Sequence, residues 1–202
     1  MKTAGFDAWR LLFIVAALFL LTGGSQHPRG AMTQMLANPI WVQSHLLLLV
    51  GMLALFVGLI VLRRSTTLPP ATGTWLRYAI IATALEVVEM AVHTAAVVDH
   101  GNLAGGHATP VFTTHTVLSI IIYPIFAATV IGLILAGMRE RALGSAWIGW
   151  LGIIGAAAHG AAAPIVAGLG ILEAAILFPI FMLFAFWLIL AAVWPSRATA
   201  RS

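Results

Sequence analysis

The chain has 202 residues, of which 61% are hydrophobic and only 8% are charged, and its mean hydropathy is +1.04. Soluble domains carry about 25% charged residues, and a soluble fold of this length could not bury so much apolar surface, so the composition excludes a soluble protein. The net charge of +4 does not indicate nucleic-acid binding, because the basic residues are few and follow membrane topology, and the lack of cysteine excludes disulfides and thiolate chemistry.

Six apolar runs predict an all-α, polytopic membrane protein whose single domain, residues 1–202, is a six-helix bundle. Runs two to six are each longer than the about 20 residues that cross a bilayer as a helix. The first run is shorter and follows Lys2 and Arg10, as in a signal peptide, but no A-x-A-like cleavage site follows, so we expect a membrane span. The predicted spans, numbered 1 to 6, are residues 9–24, 41–62, 76–98, 112–137, 144–167 and 170–193.

The basic residues predict the orientation of the spans. With a cytoplasmic N-terminus, nine of the ten lysines and arginines lie on the cytoplasmic side, and only Arg29 lies outside. An even number of spans then places both termini in the cytoplasm. We therefore expect a multi-pass protein of a cell membrane, namely a bacterial plasma membrane. The residues of the cytoplasmic set are Lys2, Arg10, Arg63, Arg64, Arg77, Arg139, Arg141, Arg197 and Arg201.

All seven histidines lie in the outer half of the predicted bundle. Spans 2 to 5 each carry one, on the order of 5–11 Å below the outer boundary at 1.5 Å per residue. Ionisable residues inside a membrane usually face the bundle interior, and neutral imidazole is the commonest metal ligand. The pattern therefore predicts a cofactor or metal site near the outer face. The span histidines are His45, His93, His115 and His159, and the loop histidines are His27, His100 and His107.

Two glutamates share a helix face with one of these histidines in the segment EVVEMAVH, residues 86–93. The spacing of Glu86, Glu89 and His93 places all three on the same side of span 3. Glu89 is expected either to accept the second N–H of His93 or to bind a metal ion directly. Glu86, near mid-membrane, is expected to carry protons or to stay protonated in the apolar core. Alternatively, both are neutral, hydrogen-bonded packing residues.

Other polar residues extend this candidate site. Tyr123 lies two turns below His115, where it would line a redox or proton path or pack with a satisfied hydroxyl. Glu173 lies at the depth of the histidines, at the start of span 6. Arg29 is the natural partner of haem propionates, although an ordinary loop arginine explains it equally well. The small residues around His159 provide either a gap for a flat porphyrin or close helix packing. They are Gly152, Gly155, Ala156, Gly160 and Ala163.

Six spans with one histidine in each of spans 2 to 5 resemble the ascorbate-reducible, transmembrane di-haem cytochromes b. The resemblance implies haem b between axial histidines, with the diagonal pairs His45/His115 and His93/His159 as candidate ligands. A haem held by one diagonal pair would transfer electrons to or from a quinone or an outer-face redox partner, or sense a gas. That family places its haems near opposite faces, whereas these four histidines lie near one face, so one haem or a compact metal centre fits this chain better.

Three functions remain open at this point. The first is a bis-histidine haem b protein, an oxidoreductase that transfers electrons or interacts with a gas or a quinone. The second is a non-haem metalloenzyme that uses Fe, Cu or Zn, bound by the histidines and Glu89, on a lipophilic substrate. The third is a transporter of metal ions or protons, supported by Glu86 at depth. The lipid bilayer is the expected partner in each, and an oligomer is compatible with all three.

Overall fold

Six long helices form the body of the computed structural model, which describes residues 7–65 and 67–194. By length and apolar composition, six segments are able to cross a membrane. The all-α prediction and the six spans are thus confirmed, and the described residues contain no strand. Lys2, Arg197 and Arg201 of the predicted cytoplasmic set lie outside the described residues. The helices, numbered as the spans, are α1 Ala8–Gln26, α2 Ile40–Ser65, α3 Pro70–Ala95, α4 Pro110–Arg139, α5 Ala146–Ala163 and α6 Met182–Val193.

The helices form a closed ring in chain order. Each one packs against the helix before it and the helix after it, and α6 returns to pack against α1. A single hydrophobic core draws buried side chains from all six, among them Phe13, Met52, Leu76, Phe126, Ile148 and Phe184. Side chains on the outer surface of the ring, such as Ile81 and Val88 on α3, are apolar and exposed. An apolar exterior around a packed interior is what lipid contact requires.

The two ends of the ring differ in chemistry. At one end, called the histidine end, lie the short helix Met32–Ala37 and the segment after α3, which continues as a 3₁₀ turn and the helix His100–Ala104. At the other end, called the arginine end, α2 finishes with Arg63 and Arg64 and α4 finishes with Arg139. Arg10, near the start of α1, donates hydrogen bonds to the carbonyls of Ala192 and Trp194 at the end of α6. This contact helps to close the ring.

Helix α3 begins six residues before the predicted span 3. Its first residue is Pro70, which needs no hydrogen-bond partner for its nitrogen at this position. Glu140, just beyond α4, accepts a hydrogen bond from the Thr72 backbone N–H at 2.8 Å and another from the Thr72 hydroxyl. These bonds hold the pKa of Glu140 below its usual value. The start of α3 is therefore set partly by a residue that is distant in sequence.

The histidine ends of α5 and α6 are irregular. Pro164 opens a π-helical turn, Pro164–Gly168, after α5. The last span begins with a 3₁₀ turn, Leu172–Ile176, and a short helix, Leu177–Ile180, before a turn at Phe181 leads into α6. Proline removes an intrahelical hydrogen bond, so Pro164 and Pro179 account for these interruptions. The irregular segment brings the Phe181 ring into the bundle, against His159.

Candidate metal centre

Four imidazoles meet at the histidine end of the ring. His27 directly follows α1, while His45, His93 and His115 lie on α2, α3 and α4. Neighbouring ring centroids are 4.8 Å apart for His27 and His45, 4.4 Å for His45 and His93, and 3.7 Å for His93 and His115. The carboxyl group of Glu89 completes this group, which we call the histidine cluster. His45 and Glu89 are fully buried within it.

Three imidazoles of the cluster are held by a hydrogen bond at Nδ1. His27 Nδ1 lies 2.8 Å from the Pro28 carbonyl, His45 Nδ1 lies 2.7 Å from the Trp41 carbonyl, and His115 Nδ1 lies 2.6 Å from Glu89 Oε1. Because a backbone carbonyl only accepts, Nδ1 of His27 and of His45 carries the proton and Nε2 keeps its lone pair, whereas His115 and Glu89 share one proton between Nδ1 and Oε1. Metal-bound histidines are oriented in this way, by a carbonyl or a carboxylate on the other ring nitrogen.

Several polar atoms of the cluster have no hydrogen-bond partner among the described residues. They are His45 Nε2, His93 Nδ1 and Glu89 Oε2, and all three are buried. A buried polar atom without a partner costs free energy, and folded proteins keep few of them. His45 Nε2 is an electron-pair donor in the tautomer described above, and Glu89 Oε2 is a carboxyl oxygen, so a bound cation would satisfy both.

The cluster contains two overlapping sets of metal-ligating groups. The first set is His27, His45 and His93, and the second is Glu89, His93 and His115. Within each set, one donor atom from every residue lies within 4.8 Å of the others. Imidazole and carboxylate donors suit zinc, copper and iron, and three protein ligands leave a coordination position for a substrate.

The fourth span histidine lies apart from the cluster. His159 Nε2 lies 2.6 Å from Glu86 Oε1, and both side chains are buried. The imidazole is stacked between the rings of Tyr123 and Phe181, at centroid distances of 4.1 and 4.3 Å. Tyr123 is also close enough to Glu86 and Glu89 for their charges to act on its hydroxyl. Glu86, Tyr123 and His159 thus form a polar group beneath the histidine cluster.

Glu89 pairs with His115 and not, as expected from the sequence, with His93. Helical side chains lean towards the N-terminus of their helix. The Glu89 carboxyl group therefore leans away from His93, which lies one turn further along α3, and reaches across to α4. The position of Glu89 beside a histidine was predictable, but its partner depended on how α3 faces α4.

His27 is the site residue that sequence reasoning missed, because it was grouped with the loop histidines. The available signal was its position, one residue beyond Gln26 and therefore at the membrane boundary. Burial lowers the pKa of His27, and the positive charge of Arg29 acts in the same direction, which favours the neutral, metal-binding form. Arg29 and Glu173 are exposed, and neither His100 nor His107 belongs to a ligand set.

A porphyrin does not fit the arrangement of these histidines. In the diagonal pair His45/His115, the ring of His93 contacts both imidazoles, at centroid distances of 4.4 and 3.7 Å, and so takes the place that a porphyrin between them would need. In the other diagonal pair, His159 uses its Nε2 to bind Glu86, so this nitrogen is not free for iron. The expected gap around His159 is filled as well, because Gly160 packs against Ala127 and Gly155 packs against the backbone of Phe184.

No protein-family model, curated protein or solved structure matches this chain. The proposals below therefore rest on its own residues and their geometry.

Proposed function

We propose that this chain is a non-haem metalloprotein of the membrane, and that it acts as an oxidoreductase on a lipid-soluble substrate such as a quinone. The observation that carries the proposal is the first ligand set, in which His27 and His45 each have Nδ1 held by a carbonyl oxygen and Nε2 with its lone pair, beside His93. A redox-active ion such as iron or copper, bound there, would supply the electron transfer. The chain's own residues position it and handle protons.

The roles of the residues follow from their contacts. His45 is oriented by the Trp41 carbonyl, so that it offers Nε2 in a fixed direction, and Glu89 holds the ring of His115 at 2.6 Å. The pair of Glu86 and His159 holds a proton between its members, one helical turn below Glu89. The location favours a lipophilic substrate, because the side chains next to His45 on the exterior of α2, Val42 and Leu46, are apolar and exposed.

The geometry gives less support to a transporter. The polar groups run from His27 down to Glu86 and His159, near the middle of the bundle. Between Glu86 and the arginine end, α3 buries mostly apolar or hydroxyl side chains: Thr72, Leu76, Ala79, Ala82 and Thr83. Conduction needs polar groups along the whole path. A bound metal ion accounts for polar groups that extend only from the histidine end to the middle of the bundle.

The site is proposed to face the outside of a bacterial plasma membrane. Basic residues concentrate on the cytoplasmic side of membrane proteins. Arg63, Arg64 and Arg139 finish their helices at the arginine end, which is therefore assigned to the cytoplasm together with both termini. A quinone or a redox partner would then reach the histidine end from the outer leaflet or from the external medium.

Metal analysis and an absorption spectrum of the detergent-purified protein test the proposal. We expect stoichiometric iron or copper in the wild-type protein and loss of that metal in His93→Ala, because His93 belongs to both ligand sets. The double variant His100→Ala/His107→Ala is the matched control and should keep its metal, since neither residue belongs to a ligand set.

The alternatives give different results in the same measurements. A Soret band that shifts on reduction by dithionite would establish haem b and overturn the non-haem proposal. A well-folded protein that binds no metal after incubation with iron, copper or zinc would overturn any metal centre. Stoichiometric zinc in a colourless protein would retain the metal centre but replace redox chemistry with hydrolytic chemistry.

A further inference from the structure

We propose that the histidine cluster holds two metal ions side by side, one in each ligand set, with His93 as the shared ligand. This inference rests on the proposed function, since it requires that the cluster binds metal at all. It adds the number of ions, the division of the ligands between them, and an expected result for each single-site variant.

One ion cannot use all five side chains. Bonds of about 2.1 Å to nitrogen or oxygen place any two ligands of one ion within about 4.2 Å of each other. The donor atoms of each set lie within 4.8 Å of one another, so small side-chain movements bring each set to bonding distance. At the second position the ion replaces the proton between His115 Nδ1 and Glu89 Oε1, and that proton passes to water. The five residues divide into two compact sets that have only His93 in common. An ion that occupies one set therefore leaves two ligating side chains of the other set without a cation.

Each set also contains its own buried atom without a partner. In the first set this atom is His45 Nε2, and in the second it is Glu89 Oε2, and both side chains are completely buried. A single ion would satisfy one of these atoms and leave the other unpaired, an arrangement that folded proteins rarely tolerate. Two ions satisfy both.

His93 is placed to join the two positions. Its ring lies 4.4 Å from that of His45, in the first set, and 3.7 Å from that of His115, in the second. Its Nδ1 is buried and has no hydrogen-bond partner among the described residues. As a bridge, His93 coordinates one ion through each ring nitrogen, and its remaining N–H proton passes to water when the second ion binds.

Equilibrium dialysis of the metal-free protein against Zn²⁺ tests the number of positions. We expect two Zn²⁺ per chain in the wild-type protein and in the control His100→Ala/His107→Ala. His27→Ala removes a ligand of the first position only, and Glu89→Gln removes the charge of the second position while keeping its shape, so each should bind one. Size-exclusion chromatography confirms that each variant is folded.

The possible outcomes separate this inference from the proposed function. One Zn²⁺ per wild-type chain would overturn the two-ion centre and leave the metalloprotein proposal in place, whereas no Zn²⁺ would overturn both. Two Zn²⁺ retained in both His27→Ala and Glu89→Gln would show that the ions bind elsewhere and would also overturn the inference.

A second measurement tests the shared ligand by electron paramagnetic resonance. Cu²⁺ is paramagnetic, and two such ions joined by one imidazole couple magnetically, so the electron paramagnetic resonance spectrum at two equivalents should show an interacting pair. His27→Ala should show an isolated ion. An isolated-ion spectrum in the wild-type protein at two bound equivalents would contradict the shared His93.

Discussion

Glu86 and Glu89 are two buried carboxyl groups in the interior of an otherwise mostly apolar helix bundle. They lie one turn apart on α3. Glu86 is hydrogen-bonded to His159 on α5 and Glu89 to His115 on α4, each with a nitrogen–oxygen distance of 2.6 Å. A lone carboxylate or imidazolium inside a membrane is costly, and pairing removes most of that cost because the two groups share a proton. The pairs thus allow ionisable chemistry at a depth where single charges would not persist.

The pair of Glu86 and His159 can be tested by the free energy of unfolding in detergent. Glu86→Ala should lower it by about 3–5 kcal/mol, because it leaves the buried His159 without its partner. The double variant Glu86→Leu/His159→Leu should lose less than the sum of the two single leucine variants, since neither polar group is then left unpaired. Leu85→Ala, at an exposed position on the same helix, is the control and should have a small effect. Strict additivity of the two leucine substitutions would contradict a coupled pair.

At the scale of the element, α5 owes its position to residues that lack side-chain volume. A Cβ at Gly155 would collide with the backbone of Phe184, and one at Gly160 would collide with Ala127. Close approach of backbones through small residues is a common way for membrane helices to associate. This packing places His159 within reach of Glu86, so the glycines act on the polar group beneath the cluster through the spacing of helices.

Gly155→Ala should therefore destabilise the protein by about 1–3 kcal/mol, because backbone atoms and not a flexible side chain oppose the added methyl group. Gly73→Ala is the matched control, since nothing lies within 4 Å of its added Cβ and alanine favours the helix. Thermal unfolding of the two variants in the same detergent makes the comparison. Equal melting temperatures would show that α5 can move away at little cost.

The start of α3 provides a test that depends on pH. The hydrogen bonds from Thr72 lower the pKa of Glu140 below its ordinary 4.5, so the folded state binds this proton less readily than the unfolded state does. The stabilisation from Glu140 is then fully present above pH 4.5 and is lost as the pH falls through the lowered pKa. It stays small because the carboxyl group is exposed and screened.

Glu140→Gln should consequently lower the melting temperature near neutral pH, and the difference from the wild-type protein should shrink as the pH falls below about 4.5. Glu173→Gln, also exposed, should leave the melting temperature unchanged at every pH. Melting curves recorded between neutral pH and the acid limit of the detergent compare the three proteins. A difference that stays constant with pH would exclude an ionised Glu140 as the cause.

On the scale of the whole molecule, the closed ring decides which helices share an interior. Since α6 returns to α1, all six helices contribute to the large hydrophobic core, and the histidine cluster lies beside that core, between the end of α1 and helices α2, α3 and α4. The ends of the ring remain chemically separate, with the cluster at one and the arginines at the other. This polarity is the basis of the proposed orientation in the membrane.

Single-cysteine labelling tests that assignment directly, because the natural chain has no cysteine. Asn102→Cys places an exposed thiol at the histidine end, and Arg64→Cys places one at the arginine end. In intact cells, a membrane-impermeant maleimide should label Asn102→Cys and should label Arg64→Cys only after lysis. The reverse pattern would place the histidine cluster on the cytoplasmic side.

Much of the fold was accessible from the sequence, and the site was accessible in part. Hydropathy located every span to within a few residues, except for the start of α3, where Pro70 and Glu140 extend the helix. The depth of His45, His93 and His115 follows from position along the chain. Their partners do not, because one residue turns a helix by about 100° and a small error in phase changes which side chains meet. Hence Glu89 was placed beside His93, although it binds His115.

The sequence by itself determined that this protein is an all-α, multi-pass membrane protein with its histidines near one end, since solvent preference and helix length depend only on local composition. Only the tertiary structure decided that His27 joins the cluster, that His159 leaves it to pair with Glu86, and that the ligands divide into two sets. These features depend on how each helix is rotated about its axis and how far it lies from its neighbours. The rotation and the separation are determined by contacts between residues far apart in the chain, such as Gly155 against Phe184.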